Sequence, residues 1–204
     1  MMLMGTIDNG KKRILGLDPG LRRTGWGIID CEGSNLKHVG NGTIKSSEKL
    51  GLIERLVELH QGIVQVVNSF KPNLAASEET FVNKNAVSTL KLGIARGAVL
   101  IAPALDEIPV TEYAPNRVKK SIVGGGHATK EQIQMMIKRL LPGVEIDSPD
   151  SADALAVAIC HANFSQTNSS LRSKEKELNA KVGKDGASRM QDLIDLALLK
   201  EKMR

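Results

Sequence analysis

The chain has 204 residues, 41% of them hydrophobic and 25% charged, with a net charge of +5 and two cysteines, Cys31 and Cys160. That length suits one globular domain with a trailing segment, and the positive balance favours a polyanionic partner. Two distant cysteines without a CxxC neighbour exclude a disulfide framework or a cysteine zinc site, and point to a reducing cytoplasm.

Aromatic residues make up only 2% of the chain, so the core must be built from Ile, Leu, Val and Ala. Residues 1–12 read as a disordered lead-in. They lack the basic and apolar regions of a secretory signal, and no apolar stretch reads as long enough to span a membrane. Residues 13–18 form a buried strand ending in the Pro19-Gly20 turn. Residues 24–30 are its hairpin partner, and 36–45 a third strand after a Glu-Gly-Ser-Asn turn. Residues 49–70 shift to helical period, with Leu52, Ile53, Leu56, Leu59, Ile63, Val66 and Val67 on one apolar face. A short buried strand follows at 74–78, then a helix at 85–106, a fifth strand at 108–113, and helices at 115–123 and 129–140 around a glycine-rich loop. A last core helix starts at Asp150 and fades after His161. The expected product is an α/β domain over 13–164, with a mixed five-stranded sheet flanked by helices. Residues 165–204 read as a polar linker and an amphipathic C-terminal helix.

Four acids stand out. Asp18 closes the run Ile-Leu-Gly-Leu, and Glu78 ends Leu-Ala-Ala-Ser; strand ends are rigid positions for a site. Asp150 and Asp153 lie three apart at the head of a helix, so both can aim at one point. Clustered carboxylates suit hard divalent cations, and two such ions about 4 Å apart activate water and stabilise the leaving oxygen of a phosphodiester. The plainer reading makes Asp150 an N-cap, Asp153 a partner of the helix dipole and Asp-Pro-Gly a simple turn. The combination of all four favours the metal site.

The motifs Leu15-Gly16-Leu17-Asp18-Pro19-Gly20 with Thr24-Gly25-Trp26-Gly27, Glu78-x-x-Phe81 before Asn83-Lys84-Asn85-Ala86, Lys91-Leu92-Gly93-x-Ala95-Arg96-Gly97 and Asp150-x-x-Asp153 resemble the RuvC family of Holliday junction resolvases, with its ribonuclease H-like (retroviral-integrase-like) fold. The resemblance implies a homodimeric endonuclease that nicks two opposing strands of a four-way DNA junction, with Mg²⁺ or Mn²⁺ at two ions per active site. It implies Asp18, Glu78, Asp150 and Asp153 as catalytic metal ligands, Lys119 as an active-site lysine and Lys130 as a phosphate contact. It assigns base contact to Phe81, dimerisation to the helix at 85–106, and partnership with the RuvA–RuvB branch-migration machinery. Arg96 is expected to touch phosphate or support the dimer helix. Neighbours on a strand face opposite ways, so only one of Glu78 and Glu79 can join the site; the spacing to Phe81 in the motif that carries the resemblance selects Glu78.

Several residues have ordinary explanations beside these. Phe81 suits a core as well as a base stack, and lysines beside a glycine loop are often only solvated. His127 reads as loop surface, His161 as a cation at a helix C-terminus, and Trp26 as packing at the sheet edge. Two other functions compete. An ATPase of the actin and sugar-kinase type also pairs a strand-ending Asp with Gly and Thr, as Asp18, Gly20 and Thr24 do, but this chain has no second Asp-x-Gly loop. A junction-binding module without cleavage would not need four acids together.

Overall fold

The computed structural model describes residues 11–79, 85–125 and 128–165. The lead-in through Gly10, Phe81 with its loop, His127 and the tail from 166 lie outside them. Inter-residue contacts divide the chain into Met1–Ala162 and Asn163–Arg204, and only 163–165 of the second unit are described.

The first unit is built on a five-stranded sheet in the order β3-β2-β1-β4-β5. Strand β1 (Lys12–Asp18) runs antiparallel to β2 (Arg23–Glu32) and parallel to β4 (Leu74–Glu78). Strand β3 (Asn35–Lys45) extends the hairpin, and β5 (Val110–Tyr113) closes the parallel side. β1 is central and covered on both faces, which explains its unbroken apolar run.

Helices α1 (Leu52–Phe70) and α2 (Ala86–Leu105) cover one face. There Leu15, Leu17, Ile28 and Ala75 pack with Leu59, Ile63 and Val67 of α1 and with Ala95, Val99 and Ala102 of α2. Trp26 belongs to this face as well. It lies on an interior strand with its ring 5.3 Å from that of Phe70, so it is not an edge residue. The opposite face is taken by α5 (149–165), whose Ala154, Leu155, Val157 and Ala158 are fully buried. Helices α3 (Pro115–Val123) and α4 (Lys130–Leu140) form a hairpin; Thr129 and Gln132 close a capping box at the start of α4.

Two element boundaries differ from the sequence reading for local reasons. The segment before α1 closes a turn, with the Leu50 amide donating to the Ser47 carbonyl at 3.2 Å, so the helix starts later. β5 starts at Val110 because the Ile108 amide is spent on the Pro103 carbonyl, Glu107 takes φ 58°, and Pro109 has no amide to give. α2 also has the length and mean hydropathy of a membrane-crossing helix, contrary to expectation. Its Ala95, Val99 and Ala102 lie in the core, and Arg96 within it pairs with Glu112 of β5.

Candidate active site

The strand register places the first two acids. Leu17 of β1 pairs with Ser77 of β4. Side chains at matched register share a face, so Asp18 and Glu78 emerge side by side at the carboxyl ends of two parallel strands. Both point to the α5 side, opposite Leu17 and Ala75. Glu79 is exposed, and the alternation sends it the other way.

A glycine platform sets the height of α5. On the α5 face, Gly16 pairs with Gly27, and Asp18 pairs with Gly25. A methyl group on Gly16 would strike the Ala154 carbonyl and come within 2.7 Å of the Ala158 nitrogen; on Gly25 it would strike the Asp150 carbonyl. On Gly27 it would meet the Leu155 side chain at 2.8 Å. The helix backbone therefore rests directly on the sheet backbone. Bare strand at these positions lowers Asp150 and Asp153 to the level of Asp18.

Ser148 supplies the cap of α5. Its hydroxyl accepts from the Ser151 amide, and the Ser151 hydroxyl accepts from the Ser148 amide, each at 3.0 Å. Pro149 follows in the first helical position, where its missing amide costs nothing. Asp150 is thus not the N-cap, and its carboxylate is left for other work. The segment leading to the cap is held to β3: Asn41 donates to the Glu145 carbonyl and accepts from the Asp147 amide, while Thr43 and Ser148 share a 2.5 Å hydrogen bond.

The four acids lie within electrostatic reach of one another. Burial and then the charges of Asp153, Glu78 and Asp150 push Asp18 up to about 7. Burial, followed by Asp153, raises Glu78; burial and Asp150 raise Asp153. Lys119 of α3 opposes the rise at Glu78 and Asp153, and Lys130 of α4 opposes it at Asp18 and Asp153. Among the described residues these two lysines are therefore cations within electrostatic reach of the acids.

The donor set fits a hard divalent ion: oxygen ligands only, short of positive charge. Among the described residues no three His, Cys, Asp or Glu side chains are placed so that together they could hold a metal ion. Mg²⁺ is commonly held by one or two carboxylates together with substrate phosphate oxygens rather than by an all-protein cage, so an open acidic cluster is the compatible form.

Other candidates fall elsewhere. Arg96 pairs with Glu112 and is largely covered, tying α2 to β5. His161 is 7% exposed, and its Nδ1 lies 2.9 Å from the Tyr113 hydroxyl. Burial, with Lys12 adding to it, lowers its pKa. α5 continues past it to 165, so the reading as a terminal cation is corrected: it is a neutral core residue. Thr24 is fully buried, its hydroxyl donating to the Gly20 carbonyl at 3.0 Å. That hydroxyl staples the turn and does not reach out for a nucleotide phosphate, which removes the feature that suggested an ATPase.

Comparison with known proteins identifies the family and the fold. The sequence model of the family described as crossover junction endodeoxyribonuclease RuvC matches residues 14–161. The chain is 54% identical over 160 residues to the protein of that name from Brucella suis, covering 78% of this chain and 92% of the relative. It is 55% identical over 156 residues to the one from Rhizobium johnstonii, covering 76% and 92%. The structure of T. thermophilus RuvC in complex with Holliday junction substrate superposes with a TM-score of 0.71 at 32% identity, over 76% of this chain and 96% of that one. The mixed sheet with flanking helices is thus the ribonuclease H-like architecture anticipated from the motifs.

Proposed function

The chain belongs to the RuvC family of crossover junction endodeoxyribonucleases, and on that premise we propose that it resolves four-way DNA junctions by paired, symmetric nicks in recombination and repair. The observation that carries the reading is the convergence of Asp18, Glu78, Asp150 and Asp153, with Lys119 and Lys130 within electrostatic reach of them.

Asp18, Glu78, Asp150 and Asp153 would hold Mg²⁺ or Mn²⁺, two ions per site. Such ions supply Lewis acidity at the phosphoryl group and favour deprotonation of the attacking water. The chain's own contribution is positional. Strand ends and a helix seated on bare glycine fix the carboxylates within the narrow tolerance that in-line attack requires. Lys119 acts on the charge that builds on the phosphate during attack, and Lys130 holds a phosphate beside it. Phe81, which follows the acidic strand end by three residues, supplies the base contact at the crossover.

The exposed side of α2 carries Val87, Leu90, Ile94, Ile101 and Leu105, with open space at Gly93 and Gly97. An apolar face of this kind on one helix favours a self-complementary contact with a second copy, giving two active sites for two strands. RuvA–RuvB is the expected partner, and the cytoplasm the expected place of action.

The test is cleavage of a synthetic four-way junction beside matched linear duplex and an RNA–DNA hybrid, with ATP turnover followed in parallel. Symmetric nicks confined to the junction support the reading. Equal cutting of all three nucleic acids, or ATP turnover without cutting, contradicts it.

A further inference from the structure

A second group of cations lies beside Asp150, in a cleft that Lys119 and Lys130 do not line. A cleft of about 860 Å³ opens between the β1–β2 turn, the end of β3 and the first half of α2. Arg23, Lys45 and Lys91 reach it from these three elements, and Asp150 alone of the four acids forms part of its wall. The cleft therefore begins where the acidic cluster ends.

Its cations are not equivalent. Arg55 is built into the wall: its guanidinium donates to the Leu21 carbonyl and to the Ser46 hydroxyl, each at 3.0 Å. Arg22 pairs with Glu48 at 3.0 Å. Arg23, Lys45 and Lys91 are exposed, and among the described residues none of them forms an ion pair. Moreover, Arg23 and Lys45 are directly opposed across the β2–β3 ladder. Like charges directly opposite each other on a sheet are destabilising, and a third cation from α2 adds to that repulsion. Of the acids lining the cleft, Glu48 is paired with Arg22, and among the described residues neither Glu48 nor Asp150 forms an ion pair with these three cations; a bound anion between them would offset the repulsion.

We propose that this cleft is a second phosphate-binding site, in which Arg23, Lys45 and Lys91 grip the backbone of the cut strand next to the scissile phosphate. The assignment rests on the nuclease reading above and adds a direction to it. The strand crosses the acids with Lys119 and Lys130 on one side and the Arg23–Lys45–Lys91 cleft on the other. Gripping the strand on both sides of the reacting phosphate fixes its line of approach, which one set of lysines alone would leave free to rotate. These contacts carry no base information; they position.

The experiment uses the full-length protein and the triple variant Arg23→Gln/Lys45→Gln/Lys91→Gln, with thermal unfolding to verify that the exposed changes leave the fold intact. Junction affinity is measured in EDTA across a salt series, on junctions carrying single neutral methylphosphonates at successive positions around the cut. The triple variant is expected to lose about 0.9 from the slope of log affinity against log salt for each contact removed, two or three in all. Neutralising phosphates on one side of the cut should weaken the wild type and leave the variant unaffected. Unchanged slopes, or methylphosphonate effects of equal size in both proteins at every position, overturn the cleft assignment while leaving the nuclease reading standing. A wild type that neither prefers nor cuts the junction overturns both.

Discussion

Gly25→Ala is the most informative single substitution in the fold. Gly25 is the antiparallel partner of Asp18, and the added methyl would collide with the Asp150 carbonyl and sit 3.1 Å from the Asp150 Cβ. Restoring ordinary carbon contacts of about 3.5 Å or more requires the start of α5 to lift by roughly 1 Å. Overpacking of this kind costs about 1–3 kcal/mol. At roughly 2–4 °C per kcal/mol for a chain of this size, the melting temperature falls by about 2–12 °C and the protein stays folded. Function suffers more than stability, because Asp150 and Asp153 move away from Asp18 and Glu78. A displacement of about 1 Å in a positioned group costs on the order of 10²-fold in rate. Single-turnover cleavage of a junction with Mg²⁺, beside junction binding in EDTA, separates the two effects: cleavage should fall about 10²-fold with affinity nearly unchanged. Wild-type cleavage together with a wild-type melting temperature would refute the idea that bare glycine backbone seats the acidic helix.

Three further outcomes follow. Asp18 is raised to about 7, so in EDTA the folded state holds its proton more tightly than the unfolded chain. Stability then falls as pH rises from the unfolded carboxyl value of about 4 toward 7, and the penalty is complete above it. Asp18→Asn should therefore raise the melting temperature in EDTA at pH 8, by roughly 1–3 kcal/mol of stability, and change little at pH 4; an equal effect at both would disprove the repulsion. Asp30 behaves oppositely. Its carboxylate takes Arg13 in a fork at 2.7 and 3.0 Å with Lys11 alongside, and the Arg13 hydrogen bond holds it below the usual range. Its contribution is present above pH about 4 and fades as pH falls through the lowered value. Asp30→Asn should cost roughly 1–3 kcal/mol at pH 7 and progressively less below pH 4, as read by denaturant unfolding; a cost that does not shrink in acid would contradict the pairing. Leu90→Glu, on the exposed side of α2 where Leu90 is 65% exposed, should halve the mass seen by sedimentation equilibrium without lowering helix content. A mass unaltered by the charge would move the self-association elsewhere.

Much of this architecture was legible from the chain because its signals are local. The apolar run before Asp18 marks a strand covered on both faces, and the spacing of Leu59, Ile63 and Val66 marks a helix face. Strand alternation puts Glu78 and Glu79 on opposite faces without any tertiary information, and the motif spacing to Phe81 picks Glu78. What the sequence hid depends on contacts between distant segments. Gly16, Gly25 and Gly27 look like ordinary strand glycines until α5, more than a hundred residues later, is laid on them. Ser148, not Asp150 as the plainer reading has it, caps α5, and Ser-Pro before an Ala-rich run carries that signal. His161 was misread because α5 outlasts its apolar core pattern. The opposed Arg23 and Lys45 were invisible for a similar reason: only the β2–β3 register brings them face to face.

The central claim is that four acids act as one metal-dependent cutting site on junction DNA. It is tested most directly by single-turnover cleavage of a four-way junction with Asp18→Asn, Glu78→Gln, Asp150→Asn and Asp153→Asn, each with Mg²⁺ and with EDTA. Junction affinity is measured on the same samples. The account predicts that every variant still binds the junction, that each loses cleavage by at least about 10²-fold, and that EDTA abolishes the wild-type nicks. Cleavage that persists in EDTA, or survives removal of any two of these carboxylates, would contradict it.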